Sequence, residues 1–452
     1  MEPITVSPNR HFLTTASGQP FFWLADTAWE LFHRLNHTEA EKYLETRRKQ
    51  DFTVIQAVVL AEFDGLHTPN ANGHIPLLGD DPVRPNEPYF RYVDEIIRLA
   101  AEKGLYVGLL PTWADKITAQ WGVGPEIFNA ENARVYGKFL GARYGNDNNI
   151  LWILGGDRSP QGHETLWTAM AEGIIEGLGQ RPFFTYHPNG GNSSSAFLHD
   201  ADWLDMNMFQ SGHVLLDTPN WDMLRADYER TPTKPVLDGE PNYEGHPIDP
   251  FLRKWQVEFG RYTDYDVRKQ AYRSVFAGAC GHTYGHHSIW QFWTLQHEPI
   301  NFPMPAWDEA ILAPGATQLI HLKNLMLSRP YLSRIPDQAM LPDVLPTPPA
   351  DNSEHFNLQR SAYPCGMRCS EGTYGMVYFP QAEQSLLVDL SRLSGRVKAW
   401  WFDPRNGKSY PAGDHPNEKV IFTSPIAGPD WVLVLDVETC NFGEPGKEKY
   451  KT

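Results

Sequence analysis

From about residue 20 to residue 325 the chain alternates short apolar, β-type runs with helix-type stretches, eight times over. The runs are FFWLAD (21–26), TVIQAVVL (53–60), YVGLLPTW (106–113) and NILWILGGD (149–157). They continue with FFTYHPNG (183–190), WLDMNMFQ (203–210), PVLDGE (235–240) and HTYGHHSIWQF (282–292). Between them, apolar residues recur at helical spacing. Phe90, Val93, Ile97 and Ala100 share one face of 89–103, and Thr38 with Glu41 reads as a capping box opening 38–50. Strands separated by helices pair in parallel, and eight is the number that closes a (β/α)8 barrel.

The pattern changes near residue 330. A proline-rich stretch, LPDVLPTPPADN (341–352), interrupts it, and beyond lie the alternating runs YGMVYFP, SLLVDL, VKAWWFDP, KVIFTS and WVLVLDV, with RNGK and PAGD as turn signals. The fold class expected is α/β, a (β/α)8 TIM barrel with a C-terminal antiparallel β-sandwich. The domains expected are residues 1–330, the barrel with an N-terminal β extension; 331–440, the β-sandwich; and 441–452, a polar tail read as disordered.

Two of the eight runs end in glycine-linked carboxylates: ILWILGGDRSP (150–160) delivers Asp157, and PVLDGEPNYEG (235–245) delivers Asp238 and Glu240. Acids at the carboxyl ends of separate barrel strands converge on the face where barrel active sites lie. That placement is what a two-carboxylate glycosidase needs, one group to protonate the leaving oxygen and one to attack the sugar or activate water. A single strand-end Asp is as readily a helix or turn cap, so the pair carries the argument. The rivals of Glu240 are Asp238, deeper on the same side of the strand, and Glu244, which reads as a loop-orienting group; the plain alternative for Asp157 is a salt bridge to Arg158.

Other side chains of that face are candidate substrate ligands: Asp26, Trp113, His187, Asn207, Gln210, Tyr284 and Trp290. For Asp26 the competing reading is a cap on the following helix, and for the rest it is rim packing. His282, His286 and His287 resemble a metal site by number only. On one strand His282 and His286 would stand about 13 Å apart, so no metal is expected.

Composition narrows the partners. A net charge of −16 argues against nucleic acid or an anionic membrane surface, and no apolar run reaches the length of a membrane span. Trp, Tyr and Phe make up 13% of the chain; core and inter-domain packing accounts for most such rings, so the composition favours a carbohydrate partner only slightly. Four cysteines are too few for a disulfide framework. Cys280 reads as a buried small hydrophobe, while Cys365 and Cys369 are open to a disulfide or to free thiols. The N-terminus shows no secretory signal, which leaves a cytoplasmic protein and a secreted one with its signal removed both open. Oligomeric state is not legible.

ADTAWELF (25–32), GGDRSP (155–160), DGEPNYEG (238–245) and HTYGHHSIWQ (282–291) together resemble the apiosidase-like proteins of glycoside hydrolase family 140. That family pairs a (β/α)8 barrel with a C-terminal β-domain of the collagen-binding type. The resemblance implies a retaining mechanism with Asp157 as acid/base and Glu240 as nucleophile, no cofactor, and a carbohydrate partner carrying terminal apiose, as in pectic side chains and plant glycosides. Many relatives in the broader clan end strand 4 in Asn-Glu, where this chain has Gly156-Asp157. A contact to the sugar 2-hydroxyl must then come from elsewhere, with Asn207 and His187 as candidates. The alternatives are an arabinofuranosidase or other pentosidase, and a non-catalytic carbohydrate-binding barrel. A metal-dependent hydrolase lacks its H-x-H or carboxylated-lysine pattern at strand 1.

Overall fold

The structure, a computed structural model, describes residues 1–248, 257–346 and 358–450. Eight parallel strands form the barrel: β1 (Trp23–Thr27), β2 (Val54–Val58), β3 (Tyr106–Leu110), β4 (Ile150–Gly155), β5 (Phe184–His187), β6 (Asn207–Phe209), β7 (Val236–Asp238) and β8 (Gly281–Tyr284). Every residue of these strands is buried, as expected of a parallel sheet covered by helices. β8, β1, β2, β3, β4 and β5 form one ladder in that order, and β6 pairs with β7. Backbone hydrogen bonds close the two gaps: Asp205 N–H to Phe184 O at 2.9 Å between β5 and β6, and Cys280 N–H to Val236 O at 3.0 Å between β7 and β8. The surrounding helices are α1 (His37–Lys49), α2 (Glu87–Glu102), α3 (Ala130–Arg143), α4 (Glu164–Leu178), α5 (Asn220–Tyr228), α6 (Asp264–Phe276) and α7 (Pro314–Leu327). An antiparallel N-terminal sheet of Ile4–Val6, Leu13–Thr15 and Pro20–Phe21 leads into β1.

Local chemistry shifts some expected boundaries. α1 is capped two residues earlier than Thr38, by Asn36, whose side chain accepts from Glu39 N–H while Glu39 accepts from Asn36 N–H. The last apolar run stops being a strand at Tyr284. His286 accepts from Ser288 N–H and caps a single helical turn, His287–Trp290, so His286 and Trp290 do not share a strand with His282.

The C-terminal strands are β9 (Arg334–Pro336), β10 (Cys365–Cys369), β11 (Tyr374–Phe379), β12 (Ser385–Asp389), β13 (Val397–Asp403), β14 (Lys408–His415), β15 (Lys419–Thr423) and β16 (Trp431–Val437). Six of them form an antiparallel sheet in the order β9-β10-β11-β16-β13-β14, and β12 pairs with β15. PAGD, read as a turn, lies inside β14 instead. Pro411 is tolerated there because β14 is an edge strand beside a register shift at Ala399/Trp400. Much of the 341–352 proline cluster lies outside the described residues. All four cysteines are free thiols.

Buried charge pairs join barrel to sandwich. Arg268 on α6 donates to both oxygens of Asp430 at 2.6 and 3.2 Å. Arg329 is bidentate to Asp436, both bonds 2.7 Å. Near the C-terminus the Tyr450 N–H donates to Leu327 O at 2.8 Å, and the Tyr450 ring meets Phe442.

Asp430 also accepts from the Tyr378 hydroxyl. In Asp430→Ala the Arg268 Nε and Nη2 and the Tyr378 hydroxyl lose their acceptor, while Arg268 Nη1 keeps Asp264 and Gln318, so the expected loss is about 1–3 kcal/mol, read as a lower urea midpoint. The double variant Arg268→Met/Asp430→Ala is expected to recover part of that loss, because no guanidinium donors are then left buried without an acceptor.

Candidate active site

The GGD sequence at the end of β4 folds as three successive residues with positive φ: Gly155 at 89°, Gly156 at 123° and Asp157 at 57°. Crowding requires the glycines. A Cβ at Gly155 would stand 2.4 Å from His187 O, and one at Gly156 would stand 2.7 Å from the Trp113 ring. Asp is among the few side-chain residues enriched in the left-handed region. The turn lifts its carboxyl off the strand end, a backbone placement that clusters at functional sites.

Asp157 Oδ2 accepts from the Trp121 indole N–H at 2.9 Å. Arg158 is no simple counter-ion. Its Nη1 lies 3.5 Å from Oδ2, but the guanidinium donates to the carbonyls of Thr118, Ala119 and Asp157. Oδ1 has no partner among the described residues, and the side chain keeps 24% of its exposure. Burial first, and then the charge of Glu240, push the Asp157 pKa up to about 6.

Glu240 follows β7 and is nearly enclosed. Its Oε2 lies 3.1 Å from His187 Nε2 and its Oε1 lies 3.2 Å from His213 Nε2. Burial opposes ionisation, but the two histidine contacts outweigh it and bring the Glu240 pKa down to about 2. The Tyr243 hydroxyl faces the same carboxylate, and burial together with the Glu240 charge pushes its pKa well above the usual phenol range.

The histidine contacts also assign protons. His187 Nδ1 accepts from the Asp157 N–H at 3.3 Å, so the proton of a neutral ring sits on Nε2, facing Glu240. That Nε2 contact is close in distance but poorly aligned, as catalytic contacts commonly are outside the substrate complex. His213 Nδ1 lies 3.0 Å from Pro241 O while its Nε2 faces Glu240. Both of its ring nitrogens therefore face acceptors. Trp113 and Trp29 wall the site behind His187, with ring centroids 5.9 and 5.3 Å from the imidazole.

The two rivals of Glu240 have structural work. Asp238 accepts from the Ser211 hydroxyl and N–H and from Asn220. Glu244 accepts from the Tyr284 hydroxyl at 2.6 Å and from Gly315 N–H at 3.0 Å, anchoring the N-terminus of α7.

Several expected substrate ligands stand elsewhere. Asp26 is fully buried beneath the site, accepting from Arg47 Nε at 2.6 Å and from the Tyr43 hydroxyl, so it is a core ion pair and neither a sugar ligand nor a cap. Tyr284 is buried and committed to Glu244. Asn207 is buried and bonded to His199, so its amide is not free for a 2-hydroxyl. His187 is likewise buried and orients the carboxylates. Gln210 is tied through its backbone to the turn at 191–192, and its buried Oε1 has no partner among the described residues. Trp290 is half-buried, with its indole N–H on His287 Nδ1.

Sequence reasoning missed Trp121, His213, Tyr243 and Glu62. Glu62 follows β2, and burial, then the charges of Glu30, Asp157 and Asp115, raise its pKa well above the carboxylate range. His213, His246 and His287 lie in a row at centroid distances of 4.7 and 4.3 Å, the first pair tilted and the second edge to face. Burial holds His246 well below the usual range and His287 down at about 3. Among the described residues no group of three or more His, Cys, Asp or Glu is placed to hold a metal ion.

Residues 7–333 match a family model described as "Apiosidase-like, catalytic domain". Residues 355–436 match a second, described as "Putative collagen-binding domain of a collagenase". A solved structure described as a glycoside hydrolase is 32% identical over 98% of each chain, with a TM-score of 0.86. A glycoside hydrolase family 5 protein from Bacteroides vulgatus is 30% identical over 99% of this chain and 96% of its own, with a TM-score of 0.85. A further glycoside hydrolase from that species shares the fold, at 16% identity over 96% of this chain and 82% of its own and a TM-score of 0.68. No curated protein sequence matches the chain.

Glu240→Gln is expected to abolish turnover while leaving the thermal midpoint close to the unsubstituted protein. Glu244→Ala strips the acceptor from Tyr284 and Gly315, an expected stability loss of about 1–3 kcal/mol with kcat retained. Thermal unfolding measured beside kcat on an aryl glycoside checks the division.

Proposed function

Because the chain belongs to the apiosidase-like family of glycoside hydrolases, we propose that it is a retaining exo-glycosidase that releases terminal apiose from plant glycans or apiosylated glycosides. Asp157 is the acid/base and Glu240 the nucleophile. The observation that supports this most is the opposite displacement of two neighbouring carboxyls, Asp157 up to about 6 and Glu240 down to about 2. Titratable groups whose environments drive their pKa values apart mark the acid and its ionised partner.

In the first step a Glu240 oxygen attacks the anomeric carbon as the glycosidic C–O bond breaks, and the Asp157 proton passes to the departing oxygen. In the second, Asp157 takes a proton from water, the water oxygen bonds to the anomeric carbon, and the ester bond to Glu240 breaks with its electron pair returning to the carboxylate. His187 and His213 hold Glu240 ionised beforehand, and Tyr243, kept neutral, faces the same carboxylate.

Apiose is a compact furanose with a tertiary hydroxyl and a hydroxymethyl group, which calls for a small polar pocket. The expected walls Asp26, Asn207 and Tyr284 are committed to the core. Glu62, His213 and Gln210 are the polar groups that remain, with Trp113 behind them. A site built to hydrogen-bond a hydroxyl rejects analogues lacking it by about 10⁴–10⁵, so discrimination among pentosides is attainable. The deciding experiment compares an apioside with an arabinofuranoside of the same leaving group. Faster apiose release is expected, with the first-formed product retaining its anomeric configuration by NMR. Faster arabinose release would overturn the substrate, and inversion would overturn the mechanism.

The pH profile follows from the same pair. Asp157 must be protonated, so kcat/KM falls as pH rises through about 6, tenfold per unit beyond it. Glu240 must be ionised, so activity falls on the acid side only toward about 2. Initial rates on an aryl glycoside across pH check both limbs. The roles also separate by leaving group. Asp157→Ala is expected to lose most activity on poor leaving groups, which need the proton, and to regain turnover with external azide. Glu240→Ala is expected to be inactive on every substrate.

A further inference from the structure

We propose that Trp121 builds the leaving-group subsite: its indole N–H directs the Asp157 proton to Oδ1, and its free face is a platform for a leaving group with a flat apolar surface. This deepens the reading of Asp157 as the acid and rests on it.

Trp121 is 64% exposed, although its ring is fixed on two sides. The N–H donates to Asp157 Oδ2 at 2.9 Å. One face lies 3.9 Å, centroid to Cζ, from the Arg158 guanidinium, a cation–π contact. Arg158 is itself rigid, being almost wholly buried and tied to Thr118 O and Ala119 O at 3.0 and 2.8 Å. The loop that carries the ring is pinned as well, by Gly124 N–H on Asp115 Oδ2 and Ala119 N–H on Glu126 Oε1. An indole clamped by its N–H and one face cannot turn inward to bury itself. Its opposite face is left to solvent.

What covers it follows from its neighbour. A general acid stands beside the departing oxygen, so a ring bonded to that acid stands beside whatever the oxygen carries away. The face suits the C–H side of a sugar ring or a phenolic ring. The N–H adds a second effect. With Oδ2 engaged as an acceptor, the proton of the neutral carboxyl belongs on Oδ1, the oxygen without a partner among the described residues. The groups bearing on Asp157 are Glu240, His187 and Arg158, with Glu62 nearby, and none of them offers a fixed neutral donor to Oδ2 in place of the indole.

The test uses Trp121→Phe, which keeps a ring and loses the N–H, and Trp121→Ala, which loses both. Each is assayed on an aryl, a disaccharide and a methyl glycoside of the same sugar. A hydrogen bond to the ionised carboxylate favours ionisation, so Trp121→Phe is expected to move the alkaline limb of kcat/KM to higher pH. The Phe-to-Ala comparison isolates the platform: kcat/KM is expected to drop a further threefold to tenfold, roughly one aromatic stacking contact, on a leaving group with a flat face. On the methyl glycoside the two variants are expected to be equal. A drop on the aryl substrate alone assigns a phenolic partner, and a drop on the disaccharide alone assigns a sugar. An unmoved alkaline limb, or an equal Phe-to-Ala loss on all three substrates, would overturn the proposal. If Asp157→Ala shows no dependence on leaving group, the assignment of the acid has failed, and the subsite falls with it for that separate reason.

Discussion

His187 holds the site together. Its carbonyl accepts from Gly156 N–H at 3.0 Å, its Nδ1 accepts from Asp157 N–H, and its Nε2 faces Glu240. One residue at the end of β5 therefore fixes the turn that presents Asp157 and stabilises the charge of Glu240. It does so without exposure to substrate, because the ring is buried against Trp29 and Trp113. The two glycines exist for this contact, since a Cβ at either would drive the turn away from His187 or Trp113.

The carboxylates at the strand ends divide by their partners. Asp26, Asp238 and Glu244 are matched by Arg47 and Tyr43, by Ser211 and Asn220, and by Tyr284 and Gly315, and those bonds fasten β1, the loop after β6 and α7. Asp157 and Glu240 are matched instead by the rings of Trp121, His187 and His213. Three acids thus hold the face of the barrel rigid around Asp157 and Glu240, the fixed geometry that the proposed catalytic pair requires.

The sequence carried the barrel because eight apolar runs separated by helical periodicity have few other solutions. The glycines beside Asp157 and Glu240 are adjacent in the chain, so the meeting of these two carboxylates at one site was legible there too. The sequence did not carry the fate of Asp26. That depended on Arg47, 21 residues away in the chain, although a signal was present: Ala40, Tyr43, Leu44 and Arg47 lie at helical spacing, so the arginine occupies a core-facing position of α1. Asn207 and Tyr284 were misplaced for a related reason, since strand-end position does not reveal which partner a buried polar group will find. Trp121 and His213 come from long loops that have no periodicity, and only the folded turn shows that they meet Asp157 and Glu240. PAGD misled because turn chemistry and a bulged edge strand use the same residues.

The central claim is that burial and the Glu240 charge hold Asp157 protonated beside an ionised partner. Carbon-13 NMR titration of the Asp157 carboxyl, in the unsubstituted protein and in Glu240→Gln, measures it directly. The account predicts a midpoint near 6 that moves down when the Glu240 charge is removed, since that charge is one of its causes. A midpoint near the ordinary carboxyl value of about 4, the same in both proteins, would contradict it.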